Sequence, residues 1–235
     1  MEYQGQKAII SLTSWKGRIG FTTPVAIYNL INKCPDFHIV LCLSEDEFPQ
    51  KEKDLPLLIQ QLAETRIEIL WVKRNYKTLK KVLFTIAKYR NVPVISADDD
   101  LLYTCNYAQA LYDAWVNSRN KIVTMGLEDF RNGNYTAGCG TLYSPGCFED
   151  LDDIITSINK PENEIYFDDD DAFMEVQRCN HLIVPEHVHF DGPTYEQLAT
   201  TAHQYEVYTV AELHGKIRMK QGKDTNGFIF TYLGL

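Results

Sequence analysis

Apolar runs of strand length alternate with segments of helical period along this chain, and that alternation constrains its fold more than any other feature. The strand candidates are Ala8–Leu12, His38–Ser44, Glu68–Val72, Val92–Ala97, Ile122–Gly126 and Leu182–Pro185. Between them, Thr23-Pro24 predicts a helix start, with Thr23 as N-cap and proline at the first helical position. Leu79, Val82, Leu83, Ile86 and Ala87 make an i, i+3, i+4, i+7 stripe in a second segment. Asn106 is placed to cap a third, which carries Leu111, Tyr112 and Trp115. Strands alternating with helices predict βαβ units and an α/β fold with a mostly parallel central sheet covered by helices on both faces. The 235 residues contain no repeat, low-complexity tract or long linker, and 45% are hydrophobic, so one domain spanning residues 1–235 is expected.

Charge and cysteine usage narrow the function. A net charge of -9 argues against a general nucleic-acid binder. Cys34, Cys42, Cys105, Cys139, Cys147 and Cys179 show no C-x-x-C pair and no zinc spacing, which fits reduced thiols in a cytoplasmic protein. The N-terminal sequence lacks the pattern of a signal peptide, and no stretch approaches the ~20 apolar residues of a membrane span. The sequon at Asn134 is therefore read as chance. Near the C-terminus, Lys216, Arg218, Lys220 and Lys223 precede the apolar "FIFTYLGL", which allows at most a peripheral membrane contact.

Two acid runs are the chemical centre of the sequence. In "VISADDDLLY" an apolar strand passes directly into Asp98, Asp99 and Asp100, although aspartate is a poor strand residue and adjacent like charges repel. Ligands of open α/β sheets bind outside the carboxyl ends of the strands, which is where this run falls. Residues i and i+2 can project to one side, so Asp98 and Asp100 are placed to hold a hard cation, Mn2+ or Mg2+, while Asp99 turns to another partner. The bland alternative is an acidic turn capping the next helix. The second run, Asp168 to Asp171 in "YFDDDDAFM", reads equally as a helix start and as a site where repulsion raises a carboxylate pKa toward that of a general base.

Other residues have a plain and a functional reading. Lys80 and Lys81, just before the acid-bearing strand, are solvated helix lysines or phosphate contacts. Arg18, in the glycine-containing loop "SWKGRIG", has the same choice between solvent and nucleotide. Gly138 and Gly140 in "TAGCGTLYSPG" permit close approach of a ligand or form a tight turn. His187 and His189 alternate after the last strand candidate and are possible metal ligands. The common nucleotide-loop and nucleophile-elbow motifs, G-x-x-x-x-G-K-[ST], G-x-G-x-x-G and G-x-S-x-G, are missing.

Taken in order, "ISLTSW" followed by "GRI", then "VLCLSEDEFP", "TLKKVLFTI", "VISADDDLLY", "AGCGTLYSPG" and "FDDDDAF" resemble the GT-A-fold glycosyltransferases, specifically a bacterial family-two-like group involved in polysaccharide synthesis. The resemblance covers roughly residues 7 to 190 and implies a single GT-A, Rossmann-like domain with a nucleotide-binding half near residues 1–105 and an acceptor-side half near 106–235. It implies a nucleotide-diphosphate sugar as donor, a glycan or lipid-linked glycan as acceptor, a divalent metal and inversion at the anomeric carbon. Asp98 to Asp100 become the D-x-D motif, with Asp98 and Asp100 on the metal, Asp99 near ribose or sugar, and His187 or His189 completing the metal shell. Asp170, or its neighbour Asp169, becomes the base; Lys80, Arg18, Gly138 and Gly140 line the donor. The chain departs from the pattern at Ala172, where relatives carry an aromatic, and in having four acids where two are usual.

Three other functions compete. A metal-dependent nucleotidyltransferase would use a similar sheet but wants a glycine-rich basic loop after the first strand, which "SLTSWKGRIG" matches poorly. An aspartyl phosphatase wants D-x-D-x-[TV] near the N-terminus, and here Leu102 fills the last position. A catalytically silent sugar- or metal-binding module would not need two complete acid clusters.

Overall fold

The computed structural model describes residues 6–103, 106–117, 122–124, 128–129, 134–135, 140–148, 150–161, 164, 167 and 187–189. In chain order its strands are β1 (Ile9–Thr13), β2 (His38–Ser44), β3 (Glu68–Val72), β4 (Val94–Ser96), β5 (Ile122–Thr124), β6 (Glu128–Asp129), β7 (Asn134–Tyr135), β8 (Thr141–Tyr143) and β9 (His187–His189). The α-helices are α1 (Thr22–Lys33), α2 (Leu57–Thr65), α3 (Thr85–Lys88), α4 (Tyr107–Asn117) and α5 (Leu151–Ser157).

Seven strands form one sheet in the order β3-β2-β1-β4-β8-β5-β9, and β6 and β7 form a separate antiparallel ribbon. The pairs β2/β3, β1/β2, β1/β4 and β5/β9 are parallel, whereas β8 runs antiparallel to both β4 and β5. The fold is thus the mostly parallel α/β sheet that the alternation predicts. Period-two alternation sorts each strand between two cores. Ile10, Leu12, Ile39, Leu41, Leu43 and Ile95 pack with Ile27 and Leu30 of α1, Ile59 and Leu62 of α2 and Leu111 of α4. On the opposite face, Ile9, Val40, Cys42, Val72 and Val94 meet Val82, Leu83 and Ile86 together with Leu151 and Ile154 of α5. Burial on both faces explains why these strands read as continuous apolar runs.

Several expectations need correction. Thr23 does not cap α1; the cap position is Phe21, and Thr23 lies inside the first turn. Its hydroxyl is engaged with Ser14 and Asp99, so the first helical N–H groups of Thr22 and Thr23 turn instead to the Arg18 carbonyl. The stripe from Leu79 to Ala87 is a 3-10 turn (Lys77–Leu79), a π turn (Lys80–Phe84) and the short α3, not one α-helix. Thr141–Tyr143 within "TAGCGTLYSPG" is a sheet strand. The Asn106 cap holds, since its side chain accepts from the Gln109 N–H at 3.0 Å. Leu182–Pro185 lies outside the described residues.

The order of the sheet locates the ligand crevice. From β1 the chain steps outward to β2 and β3, then returns to the other side of β1 as β4. That reversal opens a crevice at the carboxyl ends of β1 and β4, the position where such sheets bind ligands.

Candidate functional site

Both loops that leave this crevice carry charged side chains. β4 ends at Ser96, and Asp98, Asp99 and Asp100 follow; β1 ends at Thr13, and the loop with Arg18 follows. The β4 end is fixed before the acids begin. The Ser96 hydroxyl accepts from the Thr141 N–H at 3.0 Å, and the Ser96 carbonyl accepts from the buried Tyr107 hydroxyl at 3.3 Å. Gly140 makes that packing possible. Its φ is +127°, and a Cβ there would stand 2.8 Å from the Tyr107 ring and 3.3 Å from the Ser96 carbonyl oxygen. Its visible role is therefore close packing behind the site.

Two basic side chains share the three carboxylates of the run. Arg18 Nη1 lies 2.8 Å from Asp99 Oδ1 and 3.0 Å from Asp100 Oδ2, so one guanidinium nitrogen spans two carboxylates. The Thr23 hydroxyl donates to the other Asp99 oxygen at 3.3 Å. Asp98 pairs with Lys81 Nζ. Three acids against two bases leave one negative charge in excess at a partly buried edge. Its effect falls on Asp100, whose pKa rises from 3.8 to about 6 because burial disfavours the charged form and Asp98 and Asp99 repel it, against the pull of Arg18. Burial also works against the Arg18 charge, but Asp99 and Asp100 outweigh it and raise its pKa.

The two lysines divide between strands. Lys81 reaches Asp98 beyond β4, whereas Lys80 donates to Asn75 Oδ1 at 2.6 Å and stands 3.7 Å from Glu47, beyond β2. Both are buried, and burial lowers the Lys80 pKa against the attraction of Glu47. The sequence singled out Lys80 as the donor contact; the residue that meets the acid run is its neighbour. The π turn brings both to the same edge, and π turns are frequent at functional sites.

Sequence reasoning missed the aromatics beside Arg18. Trp15 and Phe21 are 52% and 54% exposed, and the Trp15 ring covers Gly17 so closely that a Cβ there would fall 2.3 Å from it. Large exposed aromatics next to a charged crevice are the informative exception to burial. The signal was present in "SWKGRIGF", as aromatics flanking a basic glycine-containing turn.

Asp168 to Asp171, including Asp169 and Asp170, lie outside the described residues, as does Gly138. His187 and His189 lie on β9, opposite Ile122 and Thr124 of β5 and three places from β4 in the sheet. Among the described residues no three His, Cys, Asp or Glu side chains form a group that could hold a metal. The donors at the edge are nevertheless of the hard-oxygen type, and Mg2+ commonly uses one or two carboxylates with water and ligand phosphates. Asp98 and Asp100 fit that pattern in kind. Cys34, Cys42 and Cys147 are buried and outside any disulfide, and burial raises the Cys42 pKa and lifts that of Cys147 to about 12, so neither of these two is a reactive thiolate. No helix among the described residues is long and apolar enough to cross a membrane.

No protein-family model and no curated protein matches the chain. Solved structures do. A cytidylyltransferase from Leptospira borgpetersenii serovar Hardjo-bovis aligns over 94% of this chain and 99% of its own, with TM-score 0.52 and 10% identity. A structure from Bacillus anthracis described as a glucose-1-phosphate thymidylyltransferase in complex with sucrose aligns over 94% and 97%, with TM-score 0.51 and 9% identity. The glycosyltransferase GlyE of Streptococcus pneumoniae TIGR4 aligns over 85% of this chain and 51% of its own, with TM-score 0.48 and 15% identity. At 9–10% identity, the first two establish a shared Rossmann-like α/β fold.

Proposed function

We propose that the chain is a transferase that moves a sugar from a nucleotide-diphosphate donor to a hydroxyl group of a glycan or lipid-linked glycan, with inversion and with Mn2+ or Mg2+ as cofactor. The observation that carries this reading is the run of three carboxylates at the switch-point crevice, faced by a basic residue from the β1 loop. Asp98 and Asp100 would hold the cation, which supplies charge neutralisation to the departing diphosphate. Asp99, held by Thr23 and Arg18, would serve the ribose or sugar side of the donor. Lys81 and Arg18 add positive charge beside the phosphates, and Trp15 and Phe21 offer planar faces to a base. Asp170, with Asp169 as the neighbouring choice, takes the proton from the acceptor hydroxyl.

Nucleotidyl transfer is the second reading, because the two aligned structures with the higher TM-scores are described as nucleotidyltransferases. Against it, the β1 loop spends its amides on itself. The N–H groups of Arg18 and Ile19 donate to the Trp15 carbonyl, and those of Phe21, Thr22 and Thr23 to the Arg18 carbonyl. A phosphate-cradling loop would present such groups to the ligand.

The deciding experiment is a thermal-shift panel of nucleoside diphosphates with and without Mn2+, on the parent and on Asp100→Ala. Metal-dependent stabilisation by UDP or GDP that disappears in the variant supports the reading, and equal nucleotide binding by both proteins removes it. Pyrophosphate release from a nucleoside triphosphate and a sugar 1-phosphate would establish nucleotidyl transfer instead.

A further inference from the structure

We infer that Arg18 is a latch that holds the place of the divalent cation, so that cation and diphosphate bind strongly only together. The inference rests on the donor reading above and adds an order to binding. One nitrogen of Arg18 contacts Asp99 Oδ1 at 2.8 Å and Asp100 Oδ2 at 3.0 Å, so the Asp100 oxygen that a cation on Asp98 and Asp100 would need already faces a positive charge. Two positive charges cannot share that position, so a cation that reaches Asp100 must first displace the guanidinium.

The structure indicates which partner moves. The Asp99 and Asp100 side chains are only 7% and 16% exposed, and Asp99 is also held by Thr23. The Arg18 side chain is 32% exposed and has an outlet to solvent. Its backbone is anchored, since its carbonyl accepts from Phe21, Thr22 and Thr23 at the start of α1. Release therefore needs only rotation of a long side chain, with no unfolding of the loop. The released guanidinium requires a new anionic partner, and its planar fork matches phosphate oxygens. A diphosphate arriving with the cation supplies that partner; a cation arriving alone does not. Lys81 is paired with the other proposed cation ligand, Asp98, and is left unaltered in the test.

The test is Mn2+ titration of the purified protein, read by the electron-paramagnetic resonance of free Mn2+, with and without UDP or GDP. Arg18→Gln should bind Mn2+ alone about tenfold more tightly than the parent, within the range usual for coupled sites, and should gain less from added nucleotide. Arg18→Met, which keeps the length of the side chain and removes its charge, should also tighten Mn2+ binding; it carries the test if near-ultraviolet circular dichroism shows the glutamine variant misfolded. Arg90→Gln removes a surface charge paired with Asp152 and should match the parent. The latch is overturned if the folded Arg18 variants bind Mn2+ no more tightly than the parent, or if Arg90→Gln tightens it equally. Nucleotide and Mn2+ coupled in the parent but unaltered in the variants would sink the latch and spare the donor reading. Tighter Mn2+ binding in the variants with no effect of nucleotide on the parent would leave Arg18 as the competitor of the cation and sink the donor reading.

Discussion

Replacing Asp100 with asparagine should stabilise the ligand-free protein at neutral pH and do so much less in acid. The folded state raises the Asp100 pKa from 3.8 to about 6, so it holds the proton more tightly than the unfolded chain does. Stability from this group is therefore present at low pH and is lost as pH rises from about 4 through about 6. Above that, the ionised carboxylate costs about 3 kcal/mol relative to a neutral group of the same shape. Asparagine keeps the shape and an oxygen that can accept from Arg18, and it removes the charge. For a chain of this size that corresponds to a rise in Tm of roughly 6–10 °C at pH ~7.5. At pH ~4.5 the gain should shrink to about a third, because the parent is then largely protonated in the folded state. Thermal and urea unfolding in a chelator at the two pH values measure both effects. A variant that is no more stable than the parent at the higher pH, or equally stabilised at both, refutes the picture of an uncompensated buried charge. Mn2+ added together with UDP or GDP should narrow the difference, stabilising the parent and not the variant.

Three further outcomes follow from the same geometry. Asp170→Asn should spare donor binding and lower turnover ~100-fold or more, measured as separate nucleotide affinity and kcat; equal losses in both would point to a helix cap or to Asp169. Trp15→Ala should weaken nucleotide binding by about 1–3 kcal/mol with little effect on Mn2+ binding alone, and an unchanged affinity in calorimetry would remove the indole from the base site. Gly140→Ala should destabilise the fold by about 1–3 kcal/mol, because the residue has positive φ and its Cβ would press on Tyr107; urea denaturation reads this, and a neutral result would show that the strand end can relax.

The sequence was most informative where one residue type repeats without interruption. His38–Ser44 and Glu68–Val72 form strands with the expected boundaries, the first buried on both faces and the second half-buried at the sheet edge beside it. The position of the acid run at a strand's carboxyl end was legible for the same reason. Its partners were not. Arg18 and Asp99 are 81 positions apart, and nothing in their local spacing predicts that they meet. The three-residue β8 is too short, between Gly140 and Pro145, to display a period. The stripe from Leu79 to Ala87 does carry a helical period, but i, i+3 and i+4 contacts are common to α, 3-10 and π turns, so apolar spacing alone did not expose the wider turn. Lys80 was singled out by the resemblance, and Lys81 is the residue found on the acid run.

The π turn also makes the site sensitive to chain length at one point. A π turn holds one residue more than an α turn, so it sets the lysines at its start about 100° out of phase with the α3 residues that follow it. Removing one residue between Lys80 and Phe84 would close the wide turn into ordinary helix and swing one ammonium group away from its carboxylate. α3 could remain packed on Cys42 and Ser11 while the link to Glu47 or to Asp98 was cut. A single-codon deletion there would thus rewire the charge pairing of the crevice without changing any of the charged residues themselves.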